Sequence, residues 1–329
     1  MSGSNTEVKR RAAVSMDEGL PTKLFDHSQR ERLARHLTFF DNWDARYIEV
    51  LITGWGAANI GPDELDRMPA LRVIHHSGGT VRGFLSREVW DRGILVTTSS
   101  AANALPVAEF TLATILFAGK DVLAVADDYA RDPWIAREGE RFASIGNYNR
   151  TVGIVGASQI GRRVIELLRQ FDCTILVFDP YLNEADAAAL GVTTVSLQEL
   201  FRSSDIVSVH APLLPQTVGM ISAELLASMK RGATFINTAR AGLVDQPALV
   251  RLLEQGRLKA VLDVTDPEPL PPDHPLRGLP NVLLTPHLAG AQGNELRRLG
   301  ESVVREVEAL AAGKPPLHPF GPDDLEKSA

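Results

Sequence analysis

Six short runs dominated by Val, Ile and Leu recur between residues 151 and 287: "TVGIVG", "TILVFDP", "DIVSVHAP", "ATFINTA", "AVLDV" and "NVLLTPH". Each is almost continuously apolar rather than alternating, so as a strand it needs cover on both faces. Segments with helical spacing separate them; in "IGRRVIELLRQF" the apolar Ile160, Val164, Leu167 and Leu168 share one face. This pattern predicts a parallel sheet flanked by helices, an α/β fold. A less regular series precedes it, with "AAV", "EVLITG", "LRVIHHSGG" and "GILVTTSS" alternating with "SQRERLARHL", "PDELDRM" and "REVWDRG". At 329 residues the chain exceeds what one core usually organises, and the two series predict two α/β domains. "LPVAEFTLATILFAGKDVLAVADDYARD" reads as a helical passage between them. "NELRRLGESVVREVEALAAGK" reads as an amphipathic helix through Leu296, Val303, Val307 and Leu310, and "PPLHPFGPDDLEKSA" as a surface coil.

Composition narrows the functional classes. Hydrophobic residues make up 44% and charged ones 23%, as in an ordinary globular protein. A net charge of −7 argues against nucleic acid as a partner, because a phosphate backbone demands a basic face. The apolar run Phe110 to Gly119 is too short to cross a bilayer, and the polar start "MSGSNTEVK" shows no secretory signal. Cys173, the one cysteine, fits a reducing compartment and, beside "TILVF", a buried small hydrophobe. The expectation is a cytoplasmic protein with neither membrane nor nucleic-acid partner. His75 and His76 are neighbours in a strand pattern, so their rings point to opposite faces and no metal site is expected there.

"TVGIVGASQIGRRV" is close to a dinucleotide fingerprint, G-x-G-x-x-G, with Gly156 and Gly161 in place and Ser158 where the middle glycine belongs. Strand, turn and helix follow in the required order. Asp179 ends the next strand about 20 residues on, where a carboxylate accepts bonds from a ribose. The helix-start N–H groups, from Ser158, Gln159 and Ile160, would hold a pyrophosphate. Serine is a small intrusion, and its hydroxyl can donate to a phosphate. Acid at 179 repels a 2′-phosphate, which favours NAD over NADP; Arg162 and Arg163 are read as exposed helix residues.

Further on, Arg240 follows the strand in "FINTARAGLVD", Asp263 and Glu268 lie at and beyond the strand in "VLDVTDPEPL", and His287 follows the strand in "VLLTPHLAG". Carboxyl ends of parallel strands form the ligand crevice, so these side chains can gather beside a nicotinamide. The set suits reduction of a 2-keto acid. Arg240 grips the carboxylate, NADH supplies the hydride, and His287, steadied by Glu268, exchanges the proton.

These segments, with "SDIVSVHAPLLPQTVGMI" and "LDVTDPEPLPPDHPL", resemble the successive signatures of the D-isomer-specific 2-hydroxyacid dehydrogenases. The likeness is end to end in the cofactor half and weaker through "ANALPVAEFTLATIL" and "LRVIHHSGG". It implies a Rossmann NAD-binding domain over 118–290. It also implies a flavodoxin-like substrate domain over 1–117, both doubly wound, to which 291–329 returns through the C-terminal helix. Arg240, Glu268 and His287 take the catalytic positions. Asp263 would meet the nicotinamide amide, and His210, Ala211, Pro212, Thr217, Thr238, Ala239 and Gly290 would line the cofactor. Gly78 and Gly79 would bind the substrate carboxylate through paired N–H groups, alongside Arg240 and His287. A homodimer acting on a small 2-keto or 2-hydroxy acid is implied, in the range of glyoxylate, hydroxypyruvate or phosphoglycerate. The short tail favours a glyoxylate or hydroxypyruvate reductase-like activity. Two alternatives share the architecture: formate dehydrogenase, whose relatives carry glutamine where Glu268 stands, and NAD-sensing C-terminal-binding corepressors. The chain departs from the family at Ser158, at Thr265 in place of an aromatic, and at Val81-Arg82, where an Asp-Asn pair is usual and Arg82 is read as facing solvent. Trp55 is a candidate pocket wall.

Overall fold

The computed structural model describes residues 9–39, 44–132, 134 and 140–327. The chain forms two compact units, one of Met1–Ala104 with Ala291–Ala329 and one of Leu105–Gly290. The first crossing thus falls at 104/105, earlier than the 117/118 read from the sequence. The reason is the helix Ser100–Gly119, whose Ala108 and Ile115 join the core of the second unit.

In the first unit five parallel strands, β1 (Arg10–Ser15), β2 (Leu37–Phe39), β3 (Val50–Thr53), β4 (Val73–His76) and β5 (Leu95–Thr98), lie in the order β2-β1-β3-β4-β5. Successive residues feed opposite faces. Ala12, Val50, Ile52 and Val73 enter one core, and Ala13, Leu51, Ile74 and Val96 the other. That is the flavodoxin-like order expected.

The helix Leu296–Ala311 covers the first of those faces, burying Leu299, Val303, Val304 and Val307 beside Leu20, Leu24, Phe25 and Leu33. Its contact with Leu20–Leu24 depends on Gly300, where a Cβ would lie 2.0 Å from the Leu24 carbonyl oxygen. Beyond this helix the chain is held in place, not the surface coil expected. The buried Glu306 carboxylate accepts the N–H groups of Leu317 and His318, Pro319 bridges to Thr97, Phe320 packs against Trp90, and Pro322–Lys327 is helical. Arg82, read as facing solvent, is exposed yet donates to the Leu325 carbonyl, fastening that helix.

The second unit has seven parallel strands, β6 (Arg150–Val155), β7 (Cys173–Phe178), β8 (Thr193–Thr194), β9 (Ile206–Val209), β10 (Thr234–Asn237), β11 (Lys259–Leu262) and β12 (Val282–Leu284). Their order is β12-β11-β10-β9-β6-β7-β8, so the winding reverses between β6 and β9, where a doubly wound sheet opens its crevice. Val155, Val207, Phe235 and Leu262 pack on one face, and Ile154, Ile206, Ile236 and Val261 on the other. Cys173 is half-buried rather than buried, and burial pushes its thiol pKa up.

The apolar run at 110–119 belongs to a helix of 20 residues with mean hydropathy 1.5, long and apolar enough by length and composition to cross a bilayer. Here it serves a protein core: Pro106, Val107, Ala108 and Ile115 are buried, and the exposed Glu109 interrupts its apolar surface.

Gly300→Ala is expected to destabilise the first unit by about 1–3 kcal/mol, because a methyl group must push two helices apart. Urea unfolding of wild type and variant measures it; an unchanged midpoint would contradict the close packing.

Candidate active site

The turn after β6 is shaped by two glycines. Gly156 has φ 96°, and a Cβ there would come within 2.7 Å of the Ala211 amide; a Cβ on Gly161 would lie 2.1 Å from the Gly156 carbonyl oxygen. Only glycine lets these backbones approach so closely. Ser158 is the N-cap of the helix Gln159–Leu168, its Oγ accepting the Gly161 N–H at 3.3 Å. It closes the turn from within, and its hydroxyl hydrogen stays free to donate. Among the described residues the N–H groups of Ser158, Gln159 and Ile160 meet no acceptor, so a fan of donors remains at the helix start. The half-buried Asp179 carboxylate is fixed by the N–H groups of Ala157 (2.6 Å) and Tyr181 (2.8 Å). Arg162 donates to the Ala157 carbonyl and pairs with Asp186, and Arg163 pairs with Glu166.

Across the winding reversal, His210, Ala211 and Pro212 follow β9. His210 is buried with Nε2 2.9 Å from Ser208 Oγ, while among the described residues its Nδ1 has no partner. Thr217 braces the loop, donating to the Pro212 carbonyl and accepting the Leu214 N–H. Thr238 is buried and shares a hydrogen bond with Thr111; Ala239 donates its N–H to Asn237, and Gly290 is half-buried at the end of the unit.

Arg240, Glu268 and His287 follow the neighbouring strands β10, β11 and β12, so sheet order alone brings them to one edge. His287 Nδ1 lies 2.8 Å from Glu268 Oε1. The Arg240 guanidinium donates to the Ala239 carbonyl and feels the Glu268 charge, while burial pulls its pKa down from the usual arginine range.

Asp263 is tied closely to the loop that follows the next strand. Its carboxylate, 2% exposed, accepts Thr285 Oγ1 at 2.6 Å and the N–H groups of Leu288 (2.8 Å) and Ala289 (3.0 Å). The His287 N–H donates to the Asp263 carbonyl, and His287 sits at φ 53°, a left-handed conformation costly for a side chain with a Cβ. Asp263 thus holds the histidine loop in shape, with two donors on Oδ1 and one on Oδ2, so that Oδ2 keeps an acceptor site.

Sequence reasoning missed Thr285 and also Gln246, whose amide donates to the Asp266 carbonyl and accepts the Asp266 N–H at 2.9 Å, steadying the loop that carries Glu268. Thr265, in place of the usual aromatic, donates to the Pro267 carbonyl in that loop. A glutamine at the head of a helix carries no pattern that marks it as a clamp.

In the first unit Gly78 and Gly79 follow β4, and among the described residues neither donates its N–H. The His76 ring supports this loop, 2.5 Å from where a Gly78 Cβ would stand. Its Nδ1 pairs with Thr53, whereas His75 pairs with Thr97, so the two rings diverge. Trp55 is exposed.

Residues 112–289 match the family model for the D-isomer specific 2-hydroxyacid dehydrogenase NAD binding domain. The chain is 33% identical over 268 residues to the D-3-phosphoglycerate dehydrogenase of Methanocaldococcus jannaschii, covering 81% of this chain and 50% of that protein. It is 36% identical over 260 residues to the glyoxylate reductase of Korarchaeum cryptofilum, with 78% of each covered. A phosphoglycerate oxidoreductase from Rhizobium etli superposes with a TM-score of 0.80 at 28% identity, over 95% of this chain and 98% of that one. The chain spans about half the length of several phosphoglycerate dehydrogenases that it matches. It belongs to the D-isomer specific 2-hydroxyacid dehydrogenase family, with NAD as the cofactor of its second unit.

Burial depresses three histidines, His75 and His210 to about 3 and His76 to about 4. Unfolded, each titrates near 6.5. Between those values the unfolded chain binds the extra protons, so stability is intact above about pH 6.5 and falls as pH drops toward about 3. Each group contributes a slope approaching about 1.4 kcal/mol per pH unit. Urea unfolding across that range is expected to show the decline, and a flat profile would mean these rings protonate without opening the fold.

Proposed function

We propose that the protein is an NAD-dependent D-2-hydroxyacid dehydrogenase that reduces a small 2-keto acid, of glyoxylate or hydroxypyruvate size, to its 2-hydroxy acid. The observation that carries this is the 2.8 Å bond between His287 Nδ1 and Glu268, with Arg240 beside them. The substrate range is supported by the glyoxylate reductase relative.

The donor fan at 158–160, the glycine-shaped turn and Asp179 suit a dinucleotide: N–H groups for the pyrophosphate, a carboxylate for the ribose. His210 to Pro212, Thr217, Thr238, Ala239 and Gly290 line its path. When bound, the reduced nicotinamide supplies the hydride. The protein's own groups do the rest. Arg240 holds the substrate carboxylate with the guanidinium N–H groups left over from Ala239, and Gly78 and Gly79 offer N–H groups suited to the same kind of anion. Glu268 anchors Nδ1, so Nε2 is the nitrogen presented for exchange. As the carbonyl carbon gains the hydride, its oxygen takes the Nε2 proton, and the imidazole is left neutral; oxidation runs the same path backwards. A formate oxidase has no such proton to exchange, so the Glu268–His287 pair favours the hydroxyacid reading.

NADH oxidation with a panel of 2-keto acids tests the proposal, with glyoxylate or hydroxypyruvate expected to be turned over. His287→Ala is expected to lower kcat by roughly 10²–10⁴-fold while NADH affinity, read by fluorescence titration, stays within about twofold. Full turnover in that variant would remove His287 from the reaction.

The proposal includes a cytoplasmic homodimer. The single free cysteine suits that compartment. The helix Val122–Arg131 is amphipathic, yet buries no residue, and Phe117, Leu123 and Tyr129 stand 52%, 44% and 56% exposed in this stretch. An amphipathic helix with an uncovered apolar face calls for a partner surface, and a second copy supplies one. Light scattering is expected to give twice the chain mass for wild type and the single-chain mass for Leu123→Glu with Tyr129→Glu; a monomeric wild type would refute the dimer.

A further inference from the structure

We propose that a cavity at the amino-terminal edge of the first unit's sheet is a binding site for a small oxyanion, phosphate or a phosphate monoester. Its walls are laid down by strand order. Lys9 and Arg10 open β1, Leu37, Val50 and Val73 open β2, β3 and β4, Arg35 and His36 end the helix His27–His36, and Leu310 and Ala311 end the helix Leu296–Ala311. The Gly78–Gly79 loop leaves the opposite edge of the same sheet, about 13 Å away for a four-residue strand. The cavity is therefore separate from that loop.

Charge identifies the ligand class. Among the described residues Lys9, Arg10 and Arg35 form no ion pair, so three cations face one cavity in a protein whose net charge is −7. The two helix ends contribute about −0.5 each, the ordinary reason for basic residues at such places, and account for only about one of the three charges. Glu308 is bonded through both oxygens to Arg32 at 2.8 and 2.7 Å, but Arg32 also pairs with Glu301, so this triad keeps about one negative charge, which acts on Arg35. About one positive charge remains uncompensated. His36 adds a second sign, since among the described residues its buried Nδ1 has no partner, and an orphaned polar atom in a native fold marks a place for a ligand or water. His75 lines the inner wall and is kept neutral by burial and by the charge of Arg10, so it adds no charge of its own.

Volume sets the size. The cavity measures about 180 Å³, about six times the roughly 30 Å³ share of one water. That admits phosphate or a short phosphate ester and excludes a nucleotide. Val50, Val73, Val307 and Leu310 form apolar walls that suit the carbon part of an ester.

The proposal is independent of the proposed reaction, and so is its test. Thermal unfolding is followed with NADH at saturation, so that the dinucleotide turn is occupied, while inorganic phosphate, glycerol 3-phosphate or sodium chloride is added at matched ionic strength. A saturable rise in Tm with phosphate or the ester, above the chloride control, is expected. The larger response identifies whether free phosphate or an ester is the better ligand. Lys9→Gln with Arg35→Gln should weaken the response at least about tenfold in ligand concentration. Arg35→Gln alone, on an exposed helix position, should weaken it in the same direction if the double variant folds poorly. A response equal to chloride, or one that survives both variants unchanged, would overturn the site.

Discussion

Asp263 places a carboxylate in the interior of the second unit, and a buried charge is tolerated only when its hydrogen-bonding capacity is filled. The filling comes from the loop after the next strand, through Thr285, Leu288 and Ala289. That loop therefore has no freedom to relax. It wraps the carboxylate, and the residue at its centre, His287, accepts a left-handed backbone at a cost of order 1–3 kcal/mol. The strain is borne because the three charge-assisted bonds exceed it. The 2.8 Å contact between His287 and Glu268 follows from this, since the first is aimed by Asp263 and the second is held by the loop that Gln246 clamps. In the proposed reaction the imidazole does the proton chemistry, but Asp263 fixes where the imidazole is.

The dinucleotide turn shows the same economy with backbone in place of charge. Gly156 and Gly161 are required by contacts of 2.7 and 2.1 Å that no side chain survives. The middle position faces no such constraint, and a serine fits by turning its Oγ inward onto Gly161. The departure from the family pattern thus converts one helix-start N–H from a ligand donor into a structural one and adds a hydroxyl donor in return.

Much of this was legible in the sequence, and the limits have physical causes. Continuous apolar strands gave away two parallel sheets, because burial on both faces leaves no alternation to confuse with anything else. Arg240, Glu268 and His287 were legible because parallel strands all deliver their carboxyl ends to one edge. Partnerships were not. A carboxylate beside a strand gives no sign in the sequence of the three loop donors that Asp263 gathers. The tail failed for a related reason. "PPLHPFGPDD" is proline-rich and polar enough for coil, and the order in it comes from Glu306, a buried acid on a helix face that otherwise reads as apolar. Helix Ser100–Gly119 misplaced a boundary because an unbroken helix gives no sign of where its neighbours change.

In the proposed reaction, the selection of an acid as substrate would follow from what Arg240 lacks. Its guanidinium is largely withdrawn from water, which pushes its pKa down, and the protein returns only the Ala239 carbonyl and the field of Glu268. Glu268 cannot fully neutralise it, because the same carboxylate is bonded to His287. A half-buried cation short of partners is destabilised, and a ligand carboxylate with fork geometry would restore the missing bonds. A neutral ketone of the same size offers no such compensation. For the proposed reaction, discrimination for 2-keto acids over simple ketones would thus rest on a charge that the fold partly desolvates and leaves incomplete.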